Sequence, residues 1–243
     1  MSSTVNTGGT HDVSASPDLS ARRIRAAESS GGISSDGIYV AIEQVISEKN
    51  LHGAVLDYGA GVGHLSRRLL ALNRFQSVTG ADLMSCPADL VGRIHWVQQD
   101  LSQSLPNPNE DFDVVIAAEI IEHLENPRFT MREIFRVLTD GGLAIITTPN
   151  NESLRALLAL VLRGHYVAFA DTCYPAHITA LLRKDLRRVF LEAGFCEPEF
   201  CFNGEGSIPG MPSLKWQSLS LGLLRGLRFS DNIIAVARKP GPC

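Results

Sequence analysis

AVLDYGAGVGHLSRRLL, residues 54–70, joins an apolar run to a glycine-rich turn and then to an amphipathic helix. Val55 and Leu56 are the apolar end of a short buried strand, and Asp57 stands at its carboxyl tip. Gly59, Gly61 and Gly63 turn the chain into a helix that carries Leu65, Leu69 and Leu70. Glycines suit such a turn because they tolerate positive φ and let a ligand reach the backbone with no Cβ in the way. Strand, turn and helix together predict a ligand-binding edge. A dinucleotide fingerprint would need its third glycine at position 64, three residues after the second, and the chain has His64 there.

The spacing present is Asp-x-Gly-x-Gly-x-Gly, with an acid ahead of the glycines. A carboxylate at the strand tip repels a pyrophosphate but favours the cationic ammonium and sulfonium of S-adenosylmethionine. The pattern resembles the first motif of class I S-adenosylmethionine-dependent methyltransferases. That resemblance implies an α/β fold, a Rossmann-like, doubly wound, seven-stranded and mostly parallel sheet whose last strand is antiparallel. It also implies S-adenosylmethionine as cofactor, held at Asp57, Gly59, Gly61 and Gly63.

The totals fit one such domain. A chain of 243 residues has room for one α/β domain with decorations. Hydrophobic content of 44% and charged content of 20% are ordinary for a globular protein. A net charge of -4 argues against a general binder of nucleic-acid backbones. The five cysteines, Cys86, Cys173, Cys196, Cys201 and Cys243, contain no Cys-x-x-Cys pair, and no secretory segment is evident. A reduced, cytoplasmic setting is expected, with no membrane-spanning run and at most a peripheral membrane contact.

In chain order, residues 1–20 read as a flexible tail and 21–50 as leading helices: a short basic one from Leu19 to Glu28, a break at 29–32, and a second capped by Asp36. The second turns Ile38, Ile42, Val45 and Ile46 inward; Tyr39 is either a cofactor contact or a packing aromatic. The core spans 51–201. Ser77 to Asp82 is a second strand ending in an acid whose two oxygens can accept from both ribose hydroxyls, with Leu83 beside it. Ile94 to Gln98 is the third strand, and the resemblance puts Asp100 and Leu101 beside the adenine, Asp100 being otherwise a turn residue or helix cap. Phe112 to Ala117 is a central strand, a helix runs from about Pro127 to Leu138 and stops at Asp140-Gly141-Gly142, and Leu143 to Thr148 is strand five. Asn151 to Arg163 and Arg183 to Ala193 are helical. A helical insertion covers about 203–230, and 231–238 closes the sheet. Within the insertion, the apolar and basic segment Leu214 to Phe229 suits a membrane or lipid-linked acceptor, or else covers a sheet edge or mediates a homodimer.

Glu119, Glu122 and His123, at i, i+3 and i+4, would share one side of a helical turn at the strand-four tip. Two carboxylates and an imidazole suit Mg²⁺ or Mn²⁺, with His177 as a fourth ligand. EIIEHL, then TPN, then a histidine ahead of a helix is similar to the small-RNA 3′-terminal 2′-O-methyltransferases. It also resembles the ubiquinone-pathway and other bacterial small-molecule O-methyltransferases. Carried over by position, the ligand set is Glu119, Glu122, His123 and His177. In relatives without a metal, Glu119 faces the cofactor, Glu122 is structural and His123 acts as base. The apolar helix after TPN fits the small-molecule group better than an RNA enzyme.

The expected reaction is therefore O-methylation of a hydroxyl on a small molecule, sugar or lipid-linked acceptor, with His123 and His177 as catalytic candidates. A metal-dependent RNA 3′-terminal ribose methyltransferase is the alternative. Outside that class stand a nucleotide-dependent oxidoreductase, opposed by Asp57 and His64, and a non-catalytic S-adenosylmethionine-fold binding protein.

Overall fold

The computed structural model describes residues 34–241. The tail and the basic helix read at Leu19 to Glu28 lie outside the described residues, as does Cys243. Among those described, α1 (Asp36–Glu48) precedes β1 (Gly53–Tyr58), α2 (His64–Leu72), β2 (Phe75–Asp82), β3 (His95–Gln98) and β4 (Phe112–Ala118). The chain continues through α3 (Pro127–Val137), β5 (Leu138–Pro149), α4 (Leu154–Arg163), α5 (Arg183–Ala193) and β6 (Glu199–Phe202) to β9 (Asn232–Arg238). Between β6 and β9 lie a two-stranded hairpin, β7 (Ser207–Ile208) with β8 (Met211–Lys215), and one helical turn, α6 (Trp216–Leu219).

The seven-stranded sheet has the order β3-β2-β1-β4-β5-β9-β6. Strands β1 to β5 run parallel, and β9 lies antiparallel between β5 and β6. This is the expected doubly wound sheet. The reversal between β1 and β4 puts a crevice beside the carboxyl ends of the two central strands, where ligands of open α/β sheets bind. Both faces are apolar. Ile38, Ile42, Val45, Ile46, Leu65 and Leu69 cover one, while Met131, Ile134, Leu186 and Phe190 cover the other. Central strands buried on both sides explain the near-continuous apolar run of β4.

Several boundaries differ from the sequence reading. Ser35, not Asp36, occupies the N-cap of α1, and Asp36 in the first turn bonds Arg68 at 2.6 Å. Asp140-Gly141-Gly142 does not end α3, because β5 begins at Leu138 as soon as the helix stops. Phe112 pairs with Leu138 there, and Asp111 donates to the Val137 carbonyl at 2.8 Å. The glycine pair instead lies inside β5, where β4 and β5 slip register. The helix read from Asn151 starts three residues later, with Ser153 capping Ala156 at 3.1 Å. The segment read as a helical insertion is mostly hairpin and loop, since Pro209-Gly210 turns the chain and Gly222 and Gly226 sit at positive φ.

Asn150, at the end of β5, ties this outer segment to the sheet. It is buried, donates to the Leu227 and Ser230 carbonyls at 2.6 and 2.8 Å, and accepts from the Glu152 amide at 3.0 Å. Asn150→Ala strands those carbonyls and should lower stability by about 2 kcal/mol, read as a shifted urea midpoint with unchanged slope.

Candidate active site

The glycine turn follows β1 directly. Gly59 sits at φ 87 and an added Cβ would lie 2.6 Å from Ile120, so this turn abuts the segment leaving β4. Gly63, at φ 79, is the N-cap of α2, and a side chain there would strike Leu90. The Gly59 and Ala60 amides donate to the Ala81 carbonyl at 2.8 and 3.1 Å, which brings the tip of β2 against the turn. Asp82 completes the link: its two oxygens accept from the Gly61 and Met84 amides, each at 2.8 Å. The Leu83 amide bonds the carboxylate as well, so Asp82 shapes the turn and keeps one lone-pair site to accept from a hydroxyl.

Asp57 is fully buried and accepts from the Ser66 hydroxyl at 2.6 Å. Burial raises its pKa to about 7, against the pull of the Ser66 bond and with help from the Asp82 charge. Asp82 is also raised, chiefly by burial. Two acids whose pKa values burial raises, at the edge of the crevice, are stabilised in their charged form by an incoming cation.

Asp100 accepts from the Ser102 amide at 2.9 Å, the bond expected of a turn residue. Leu101 is buried in the core, its carbonyl accepting from the Tyr58 hydroxyl at 3.0 Å. Leu83 is half-buried beside Asp82. Tyr39 is buried, with its ring 6.4 Å from that of His64 and its hydroxyl accepting from the Ser34 amide at 2.9 Å. Its contacts are those of a packing aromatic.

The expected helical turn at Glu119 to His123 is not formed. Glu119 takes a left-handed conformation at φ 51, and only Ile121–His123 coil, as a 3₁₀ turn. The difference redirects Glu119. Its carboxylate accepts from the Thr147 hydroxyl and from Asn232 Nδ2, both at 2.9 Å. Glu122, His123 and His177 do converge, each offering a ligand atom within 4.8 Å of the others, and Glu119 is not in that group. The four-ligand set read from the sequence is therefore a three-residue cluster in this structure.

Backbone bonds bring His177 to the cluster. The Glu122 carbonyl accepts from the Ile178 and Thr179 amides at 3.0 and 2.9 Å, and the Thr179 hydroxyl donates to the Leu124 carbonyl at 2.7 Å. His123 Nδ1 meets the Ala176 carbonyl at 2.8 Å, and His177 Nδ1 meets the Ala168 carbonyl at 2.6 Å. A carbonyl only accepts, so both Nδ1 atoms carry the proton; the Glu119 carbonyl also meets the His123 ring, and the His177 Nε2 lone pair is the one left for a ligand or a proton. The two rings lie 4.7 Å apart, nearly perpendicular.

Glu122 is buried; Oε2 accepts from the Thr148 hydroxyl at 3.1 Å, while Oε1 is buried without a partner. Burial and the neighbouring Glu119 charge push its pKa well above the usual carboxylate range. Burial raises Glu119 to about 7, and burial with the His177 charge lowers His123 to about 4. An orphaned carboxylate oxygen and two imidazoles whose outer nitrogens are already anchored to carbonyls fit a divalent cation. Glu122, His123 and His177 are the residues that would hold it.

Sequence reasoning missed Asn232, Thr147, Thr148 and Ser66. The signal for Asn232 was present: an antiparallel closing strand places its first residue at the carboxyl tip of β5, and Asn232 indeed pairs with Pro149.

A family model described as a methyltransferase domain matches residues 39–196. Over 126 residues the chain is 31% identical to a ubiquinone biosynthesis O-methyltransferase of Glaesserella parasuis, covering 46% of this chain and 52% of that one. Its identity to the enzyme of that name from Pseudomonas fluorescens Pf0-1 is 32% over 125 residues, covering 46% and 51%. The chain thus spans about half the length of these curated relatives. In three dimensions it is similar to Burkholderia thailandensis 1,6-didemethyltoxoflavin-N1-methyltransferase, solved with S-adenosylhomocysteine. The TM-score is 0.62 at 14% identity, over 97% of this chain and 93% of that one. With a matching domain model across most of the chain and the sheet order just described, the protein belongs to the methyltransferase-domain family.

Proposed function

We propose that this protein transfers the methyl group of S-adenosylmethionine to a hydroxyl of a small or lipid-linked acceptor. The observation that carries the reading is the convergence of Glu122, His123 and His177, whose ligand atoms lie within 4.8 Å of one another and include the partnerless Glu122 Oε1. The relatives named for ubiquinone biosynthesis are O-methyltransferases, which supports oxygen as the acceptor atom. They lend no support to the RNA alternative.

Asp82 binds the ribose, and Asp57 supplies negative charge near the methionine ammonium. The glycine turn lets the cofactor approach the backbone. A hydroxyl is a poor nucleophile until it loses its proton, and His123 or His177 takes that proton at Nε2 as the oxygen attacks the sulfonium methyl. The depressed basicity of His123 keeps it neutral, and hence able to accept, across the physiological range. A divalent ion held by Glu122, His123 and His177 would supply Lewis-acid polarisation of the acceptor oxygen. S-adenosylhomocysteine then leaves, and most of the acceleration comes from positioning.

The test is transfer of a labelled methyl from S-adenosylmethionine to a panel of phenols, catechols and hydroxylated prenyl lipids, with an equal panel of amines. Label on hydroxyl acceptors is the expected outcome. Label on amines alone would overturn oxygen as the acceptor atom.

The raised acids give a pH signature. Asp57 is protonated in the folded, unliganded protein up to about 7, whereas the free side chain loses its proton near 3.8. The folded state therefore binds the extra proton, and its stabilising share is complete below 3.8 and is lost as pH rises through 7. The loss amounts to about 4 kcal/mol at order-of-magnitude accuracy. A cationic cofactor restores much of it, so S-adenosylmethionine should raise the melting temperature more at pH 8 than at pH 5.5. Asp57→Asn should flatten that difference.

A further inference from the structure

The loop between β8 and β9 is built inside out. Gln217 points inward, donating through Nε2 to the Leu224 and Phe229 carbonyls at 2.8 Å each and accepting from the Gly206 amide at 2.9 Å. The Ser220 hydroxyl accepts from the Leu224 amide at 2.9 Å, and the Trp216 and Phe229 rings close the base of the loop edge to face at 5.6 Å. Leucines point the other way. Leu219 is 71% exposed, Leu221 93% and Leu223 85%, with Met211 and Leu214 also exposed on the preceding strand. Leu221 even takes a left-handed conformation at φ 52, fixed by the Gly222 amide on the Gln217 carbonyl and the Leu223 amide on the Ser220 carbonyl. A loop that spends its polar side chains on itself and holds three leucines in water, one of them strained, is shaped for an apolar phase.

Charge selects that phase. From Gly206 to Ser230 the chain has no aspartate or glutamate but contains Lys215, Arg225 and Arg228, in a protein of net charge -4. Lys215 faces Asp231 at 3.6 Å and Arg228 reaches the Glu152 carbonyl at 2.6 Å. Arg225, at the exposed tip, bonds only the neutral Gly222 carbonyl at 2.7 Å among the interactions described. A two-fold contact between copies would set these like charges against each other, whereas anionic headgroups would match them. The Arg228 bond and the Asn150 bond to Leu227 anchor the loop beside the tip of β5, the edge that carries the candidate site.

We propose that Leu219, Leu221 and Leu223, with Arg225 among them, dock the protein on an anionic lipid bilayer. The bilayer would then lie beside the tip of β5, at the sheet edge that carries the candidate site.

Flotation with vesicles tests this without any reference to methyl transfer, so it stands or falls apart from the catalytic reading. The full chain is floated with phosphatidylcholine vesicles and with vesicles containing phosphatidylglycerol. Binding to the anionic vesicles, weakened by salt, is expected, with a loss of about fivefold in Arg225→Gln. The triple variant Leu219→Ser, Leu221→Ser, Leu223→Ser should bind about tenfold or more weakly. Leu221→Ser alone repeats the test with the smallest disturbance, and circular dichroism checks that each variant is folded. Arg22, Arg23 and Arg25, outside the described residues, are present in every protein compared, so their contribution cancels. No flotation of the parent, or flotation undiminished in folded variants, would overturn the proposal. So would sedimentation showing a dimer that the triple variant dissolves, which would assign the leucines to a second copy.

Discussion

Asp82→Asn should weaken S-adenosylmethionine binding by about a hundredfold, the equivalent of one or two charge-assisted hydrogen bonds. The size follows from the double duty of one carboxylate. Its oxygens accept from the Gly61 and Met84 amides and so hold the glycine turn against the tip of β2. In the proposed reading, the lone-pair site left beside these and the Leu83 bond accepts from the ribose. An asparagine has one accepting oxygen, so whichever way its amide is set, an N–H faces either the Gly61 or the Met84 amide. The turn must then open or lose a bond. Calorimetry reads the affinity, and an affinity within about threefold of the parent would show that Asp82 does not contact the cofactor.

His123→Ala is expected to leave cofactor affinity nearly intact and to lower kcat by roughly 10²–10⁴-fold, the usual span for losing a general base. The cluster allows a finer distinction. If the imidazole works as a base alone, Glu122→Gln keeps most of the activity, because Oε2 already bonds Thr148 and the amide preserves that volume. If the three side chains hold a metal, Glu122→Gln, His123→Ala and His177→Ala all remove the same metal-binding signal in a Mn²⁺ titration. That titration is read on the protein without cofactor or acceptor.

Glycine spacing, strand-tip acids and the β4 apolar run made the sheet legible in the sequence, because each reflects a local requirement: a turn, a charge, a strand buried on two faces. The cluster was legible in part. EIIEH names the right side chains, but their i, i+3, i+4 spacing assumes a helix, and the backbone at Glu119 is left-handed instead. What turns Glu119 away is tertiary. Thr147 is 28 residues distant and Asn232 is 113, and neither leaves a mark in the local pattern. The outer segment was misread as helical for a related reason. Its leucines recur as they would on a helix face, yet Pro209, Gly210, Gly222 and Gly226 divide the chain into pieces too short to coil.

The central claim is that the Asp57-to-Gly63 turn and Asp82 hold S-adenosylmethionine, and calorimetric titration of the purified protein tests it most directly. S-adenosylmethionine and S-adenosylhomocysteine should bind with micromolar affinity while NAD gives no heat, since the turn lacks the third fingerprint glycine and carries an acid where a pyrophosphate would lie. Binding of NAD, or no binding of either sulfur compound, would contradict the account and leave the fold serving some other ligand.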